Sequence, residues 1–115
     1  MFQVIFNDTS AAEMSALPKP LQLQILSEFN FLPEDLDKID PDKFGRLARE
    51  GRKLFRYRAT DYRIYFELTE KGLCVHRVLH KNSLKDFLYR SKLPLGEDEA
   101  LQKTPEFWDM IDGRR

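Results

Sequence analysis

Phe2, Val4 and Phe6 alternate with Gln3, Ile5 and Asn7, a period of two that predicts a short strand over residues 2 to 6, apolar on both faces. Asp8, Thr9 or Ser10 then offers a side-chain oxygen to the free N–H groups of a helix start, and Glu13 favours the positive end of its dipole. Pro18 stops this helix, because the residue before a proline is pushed out of the α region, and Pro20 suits the first turn of a second one. There Leu21, Ile25 and Phe29 recur on one face with Leu26 beside them, so the two helices form a hairpin laid against a sheet. Residues 31 to 45, with two prolines and five acidic residues, predict a loop with one helical turn after Pro33.

From Leu54 the period is two again. Leu54, Arg56 and Arg58 take one face and Phe55 and Tyr57 the other. After a turn at Ala59-Thr60-Asp61, Tyr62, Ile64, Phe66 and Leu68 share a face opposite Arg63, Tyr65 and Glu67. The apolar set belongs against the helices, which leaves the three arginines on a second, open face. Glu70-Lys71-Gly72 turns into a further strand over residues 73 to 79, where Arg77 is placed with Leu73, Val75 and Leu79. Asn82 or Ser83 caps a helix striped by Leu84, Phe87 and Leu88. Past Pro94 the chain is polar until PEFWDMI, residues 105 to 111, whose Phe107, Trp108 and Ile111 are expected to pack on the domain or dock a partner. The class predicted is α+β: an N-terminal strand and helical hairpin packed on a mainly antiparallel sheet, with a C-terminal helix. The domain is expected over residues 1 to 91 and an extension over 92 to 115.

Composition narrows the function. The 115 residues suit one domain, and 42% hydrophobic with 33% charged residues is globular rather than disordered. No apolar run approaches the roughly 20 residues of a membrane span, and the start lacks the features of a secretory signal, so a cytoplasmic protein without a membrane partner is expected. Cys74 is the single cysteine, and with only His76 and His80 beside it neither a disulfide nor a metal cluster is expected. No cofactor is expected. The net charge of zero conceals a segregation: residues 43 to 90 hold thirteen Lys or Arg against five Asp or Glu, which is +8, and the remainder is therefore −8. A basic stretch of this kind suits a polyanion such as nucleic acid, or an acidic protein partner.

The chain contains no GxSxG, no HExxH and no Gly-rich phosphate loop. What it has is a cationic strand pair, Arg56, Arg58 and Arg63, flanked by RLAREGRK at 46 to 53 and by His80 and Lys81. Guanidinium groups bind phosphate bidentately and lysine acts as a point charge. Cutting a phosphodiester without metal needs cations at the pentacoordinate phosphorus, an acceptor for the 2′-OH proton and a donor to the leaving 5′-oxygen, and Lys or His can fill the last two roles. His80 is the first choice, because an unperturbed imidazole titrates at about 6.5. His76 reads as a satisfied sheet histidine, Arg77 as a salt bridge, snorkelled packing or a substrate contact, and Tyr65 first as a core or sheet-surface aromatic and second as a surface to stack on a base.

The stretches LPKPLQLQIL, LFRYR followed by DYRIYF, and VHRVLHKNSLKDF resemble the RelE/ParE superfamily of bacterial toxins, over roughly residues 2 to 90. The resemblance implies the same helical hairpin on an antiparallel sheet. For the RelE-like branch it further implies a ribosome-dependent, metal-independent mRNA endoribonuclease that inhibits translation and is held by a cognate antitoxin protein, with the ribosome and mRNA as its other partners. Arg58 and Arg63 would then stabilise the phosphorane, Arg56 and Lys81 would hold the backbone, and His80 would transfer protons. Arg49, Arg52, Lys53, Arg77 and Tyr65 would join Arg56 in contacting RNA. Phe87 stands where that branch has a functional tyrosine, leaving Tyr89 or His80 to substitute, and the tail past residue 90 is an addition that could cover the basic face or bind a partner. The alternatives on the same fold are a ParE-like gyrase inhibitor and a catalytically silent module that binds RNA or an antitoxin.

Overall fold

The computed structural model describes residues 3–29, 43–85, 87–88 and 96–113. The chain runs β1 (Gln3–Phe6), α1 (Asp8–Ser15), α2 (Lys19–Glu28), β2 (Phe44–Arg49), β3 (Arg52–Ala59), β4 (Tyr62–Thr69) and β5 (Gly72–His80), then a 3₁₀ turn (Lys81–Leu84), α3 (Glu97–Gln102) and α4 (Pro105–Ile111). The five strands form one sheet in the order β1-β5-β4-β3-β2, with β1 parallel to β5 and the other pairs antiparallel. Phe2, the turn expected after Pro33, Tyr89 and Pro94 lie outside the described residues.

Two helix caps fall one or two positions before the residues the sequence offered for them. Asn7, not Asp8, Thr9 or Ser10, caps α1: its side chain accepts from the Ser10 N–H at 2.7 Å, and Ser10 Oγ accepts from the Asn7 N–H at 3.1 Å. Ser10 Oγ also donates to the Val75 carbonyl at 2.8 Å, which ties the helix start to β5. Pro18 is the N-cap of α2, with Pro20 inside its first turn, as the LPKP spacing predicts. The turn after β5 is capped by His80, whose Nδ1 accepts from the Asn82 N–H at 3.1 Å, rather than by Asn82 or Ser83.

β2 is a strand where the sequence predicted the end of a loop and a basic flank. It pairs with β3 through a turn at Glu50 and Gly51, with φ of 52° and 82°. Two consecutive positive φ angles are the geometry of a tight hairpin, and a glutamate in place of the usual Asn or Asp hid that signal.

One face of the sheet is sealed by α1 and α2. Met14, Leu17, Ile25 and Phe29 meet Phe44, Phe55, Tyr57, Ile64, Phe66, Leu73, Val75 and Val78. Phe29 packs edge-on against Phe66 at 5.3 Å between ring centres. Leu26 does not join the stripe and is 44% exposed. β5 carries a bulge: Tyr65 pairs with Arg77 but Phe66 pairs with Val75, leaving His76 as the extra residue. The bulge reverses the alternation, so Leu73 and Val75 face the helices while Arg77 does not share their face, a correction to the plain period-two reading.

The second face is covered, not open. α3 and α4 lie across it, and Leu101, Phe107, Trp108 and Ile111 form a second core with Leu47, Leu54, Tyr65, Leu79 and Leu84. Phe87 and Leu88 pack against this cluster. Alternation within the strands predicted which residues point to that face, but the cover comes from residues that follow the sheet in the chain.

Candidate nucleic-acid interface

The β3–β4 register sets Arg58 directly opposite Arg63 and Arg56 opposite Tyr65, all pointing to the second face. Like charges directly opposed in an antiparallel pair repel, so this sheet needs an anion against it. The first turn of α3 supplies one. Asp98 accepts two hydrogen bonds from Arg56, Nε to Oδ1 at 3.1 Å and Nη2 to Oδ2 at 2.9 Å. Glu97 Oε2 accepts from Arg63 Nε at 3.0 Å and lies 3.8 Å from Arg58 Nη2. Backbone carbonyls hold further guanidinium donors: Arg56 Nη1 donates to Lys43 O, and Arg63 Nη1 to Thr60 O and Tyr62 O, each at 3.1 Å. Arg56 and Arg63 are accordingly only 3% and 7% exposed. A buried arginine paired in this way is held in place by its partners, and losing one partner strands the charge.

Space for the pair is made by Gly45, which lies across from Arg56 in β2. A Cβ there would overlap both Asp98 Oδ2 and Arg56 Nη2. Among the described residues, two buried polar atoms on this face have no hydrogen-bond partner, Arg58 Nε and Tyr65 Oη. Tyr65 is fully buried, its ring edge-on to Phe107 at 5.0 Å. Burial, reinforced by the charges of Glu97 and Asp98, pushes its phenol pKa upward.

The other predicted site residues divide between places. Arg52 reaches Glu67 at 2.5 Å and Asp112 at 2.6 Å, with its guanidinium over the Trp108 ring at 5.4 Å. Burial alone would lower its pKa, but Glu67 and Asp112 more than offset that and raise it. Arg77 sits beyond the reach of β1, where it forks onto Glu13 of α1 at 2.8 to 3.1 Å and touches the Met110 carbonyl at 3.4 Å. Arg49 lines a cavity of about 320 Å³ with Glu50, Arg52, Trp108, Asp109 and Asp112. Lys53 alternates with Leu54 and so falls on the helix side of the sheet, exposed near the hairpin. His80 pairs with Tyr62, its ring edge-on to the tyrosine at 5.1 Å, and shares that side rather than the side of Arg58 and Arg63. Lys81 meets Asp61 in the β3–β4 turn at 3.1 Å, and this bond lowers the Asp61 pKa. His76 Nε2 is 2.8 Å from Glu67 Oε1.

The fold thus gathers Arg49, Arg52, Arg56, Arg58, Arg63, Arg77 and Tyr65 on or around one face and leaves His80 and Lys53 on the other. Sequence reasoning named Trp108 as a packing residue and the tail as a cover, but did not single out Glu97, Asp98 and Asp112, which answer these cations, or Gly45, which makes room for one pair. A signal was present in the acidic triplet Glu97-Asp98-Glu99 just before Ala100 and Leu101, the charge pattern of a helix N-terminus. Among the described residues no cluster of three or more His, Cys, Asp or Glu could hold a metal ion, and no helix is long and apolar enough to cross a membrane.

No protein-family model and no curated protein matches this chain. Two of the solved structures similar to it are toxin–antitoxin complexes. One is a chain of the RelBE2 toxin–antitoxin complex from Mycobacterium tuberculosis, 25% identical with a TM-score of 0.49, the likeness covering 69% of this chain and 96% of that one. The other is a chain of the RelB–RelE antitoxin–toxin complex from Methanococcus jannaschii, 21% identical with a TM-score of 0.48, covering 72% of this chain and 96% of that one.

Proposed function

We propose that this chain is a RelE-like toxin, a ribosome-dependent endoribonuclease that uses its arginine-bearing sheet face to bind mRNA and cleave it without metal. The observation that carries the reading is the opposed pair Arg58 and Arg63 with Arg56 beside it, a group of cations on one face that is stable only with an anion against it. Two adjacent guanidinium forks suit the oxygens of a phosphodiester, and their charge would stabilise the phosphorane formed when a ribose 2′-OH attacks. The products are a 2′,3′-cyclic phosphate and a free 5′-hydroxyl, with the 2′-OH proton leaving to a base and another proton reaching the 5′-oxygen. His80 Nδ1 is engaged as an acceptor, so its neutral ring is a hydrogen-bond donor through Nε2, and its place beside Tyr62 keeps that donor off the arginine face; the proton for the leaving oxygen comes from another group or from water. Lys81, at the end of β5, holds the backbone. A cognate antitoxin, by the same chemistry, would bring acidic and apolar groups to this face.

Induction in a bacterial host, with primer extension on a reporter mRNA and on the same mRNA lacking its start codon, tests the reading. Cuts are expected only in the translated message, and Arg63→Ala should abolish them while leaving the chain folded. Arrest without cuts would point to a gyrase inhibitor instead. A second reading, a silent module that binds RNA without cutting it, is favoured by the position of His80 beside Tyr62, away from the arginine face, and by Phe87, which places an apolar ring against Phe107 where a phenol was expected. Neither arrest nor cuts would support that module.

A further inference from the structure

We propose that residues 97–113 are an intramolecular cap that competes with RNA for Arg56, Arg58 and Arg63, so that the resting chain is self-inhibited and opens when a polyanion displaces the carboxylates of α3. The inference rests on the proposed RNA-binding face and adds its regulation. Residues 96–113 hold six acidic residues against the single Lys103, and two of the six occupy the arginine forks as a pair of phosphates would. The fold reserves room for them, since any side chain at Gly45 would collide with Asp98 and Arg56.

The cap also answers the face incompletely. Among the described residues Arg58 meets Glu97 at 3.8 Å, and the buried Arg58 Nε and Tyr65 Oη have no hydrogen-bond partner. A permanent core selects against stranded donors, whereas a site for an exchangeable ligand keeps them for that ligand. A ribose-phosphate chain offers phosphate and hydroxyl oxygens at successive positions, more acceptors than two carboxylates supply. The two ends of the cap differ in what holds them. Leu101, Phe107, Trp108 and Ile111 are sunk in the second core, while Glu97 and Asp98 are held by ion pairs that another anion can replace. The apolar end keeps the acidic end at high effective concentration, so closure is quick and reversible without a second protein.

The test is binding of a short, unstructured, fluorescein-labelled single-stranded RNA, followed by anisotropy across a salt series, to the full chain and to variants of it. The double variant Glu97→Gln, Asp98→Asn keeps the shape of the cap and removes its charge, and it should bind about tenfold more tightly, within the usual range of coupling between two sites. Glu106→Gln with Asp109→Asn removes the same charge from exposed positions of α4 and should gain far less. Equal gains from the two pairs would reduce the effect to net charge and overturn the cap. Equal binding by the Glu97→Gln, Asp98→Asn variant and the unaltered chain would also overturn it, while leaving the RNA-binding face standing. No binding by any of these chains would overturn the cap together with the reading on which it rests. Should the Glu97→Gln, Asp98→Asn variant not fold, hydrogen exchange of the unaltered chain decides. Saturating RNA should accelerate exchange at the Ala48 N–H, which is bonded to Gln102 Oε1 at 2.9 Å, and unchanged exchange on RNA binding would overturn the proposal.

Discussion

The two faces of one sheet are buried by different physics. Against α1 and α2 the buried contact is an apolar, largely aromatic cluster around Phe66, with the Arg77–Glu13 ion pair at its margin. Against α3 and α4 an apolar half built on Phe107 and Trp108 adjoins an ionic half built on Arg56–Asp98 and Arg63–Glu97. Apolar burial has no better ligand waiting in solution. Paired charges do, because any suitable anion competes for the same donors. Within a single sheet, the kind of contact therefore separates the face that only supports the fold from the face that can exchange partners.

The largest effects should come from the apolar clusters. Phe66→Ala, at a fully buried position on the helix side, is expected to cost about 4 kcal/mol in urea denaturation, and Phe107→Ala about 3 kcal/mol, since the cap can lift while the helix side stays folded. A smaller denaturant slope in the Phe107→Ala chain would register that lifting. Equal costs with an unchanged slope would show that the two faces unfold as one.

Asp98→Ala should cost less, about 2 kcal/mol, the scale of hydrogen bonds between charged groups that water partly reaches. High salt should shrink that cost and leave the cost of Phe66→Ala untouched. If salt treats both alike, the ionic half contributes nothing distinct. Gly45→Ala comes next, about 1 to 2 kcal/mol from forcing the Arg56–Asp98 pair apart, and it should be milder when Asp98 is already alanine.

The smallest effect is spectroscopic, with one tyrosine on each face. Burial, with Glu28 nearby, pushes the Tyr57 phenol up to about 12, and Tyr65 is raised as well. A group whose pKa is higher folded than unfolded contributes its stability in full below the unfolded value, for tyrosine about 10, and loses it as the pH rises through the folded value. Alkaline titration should therefore show Tyr57 and Tyr65 ionising late. In the Phe107→Ala chain Tyr65 should titrate early and Tyr57 remain late. Both moving together would mean that the faces are not independent.

Much of the helix face was legible in the sequence. Phe55, Tyr57, Ile64 and Phe66 announce themselves by alternation, and Ile25 and Phe29 by their helical spacing, because such periods are properties of the local backbone. The candidate site was half legible. Arg56, Arg58 and Arg63 could be assigned to one face, but Tyr65 and the arginines lie beneath a cover that no period in β3 or β4 reports. His80 and Lys53 shared the basic composition of the site without sharing its side of the sheet, since composition carries no direction.

Features that depend on near neighbours were already encoded locally: the proline break between α1 and α2, the alternation in β3 and β4, the segregation of charge along the chain. Tertiary structure decided the rest, from the bulge at His76 that turns Arg77 away from Val75 to the parallel place of β1 and the room at Gly45 for Asp98. It also decided that the acidic tail closes the basic face. Each of these joins residues far apart in the chain, where the outcome depends on whether particular side chains fit and pair in space, and no local period encodes that.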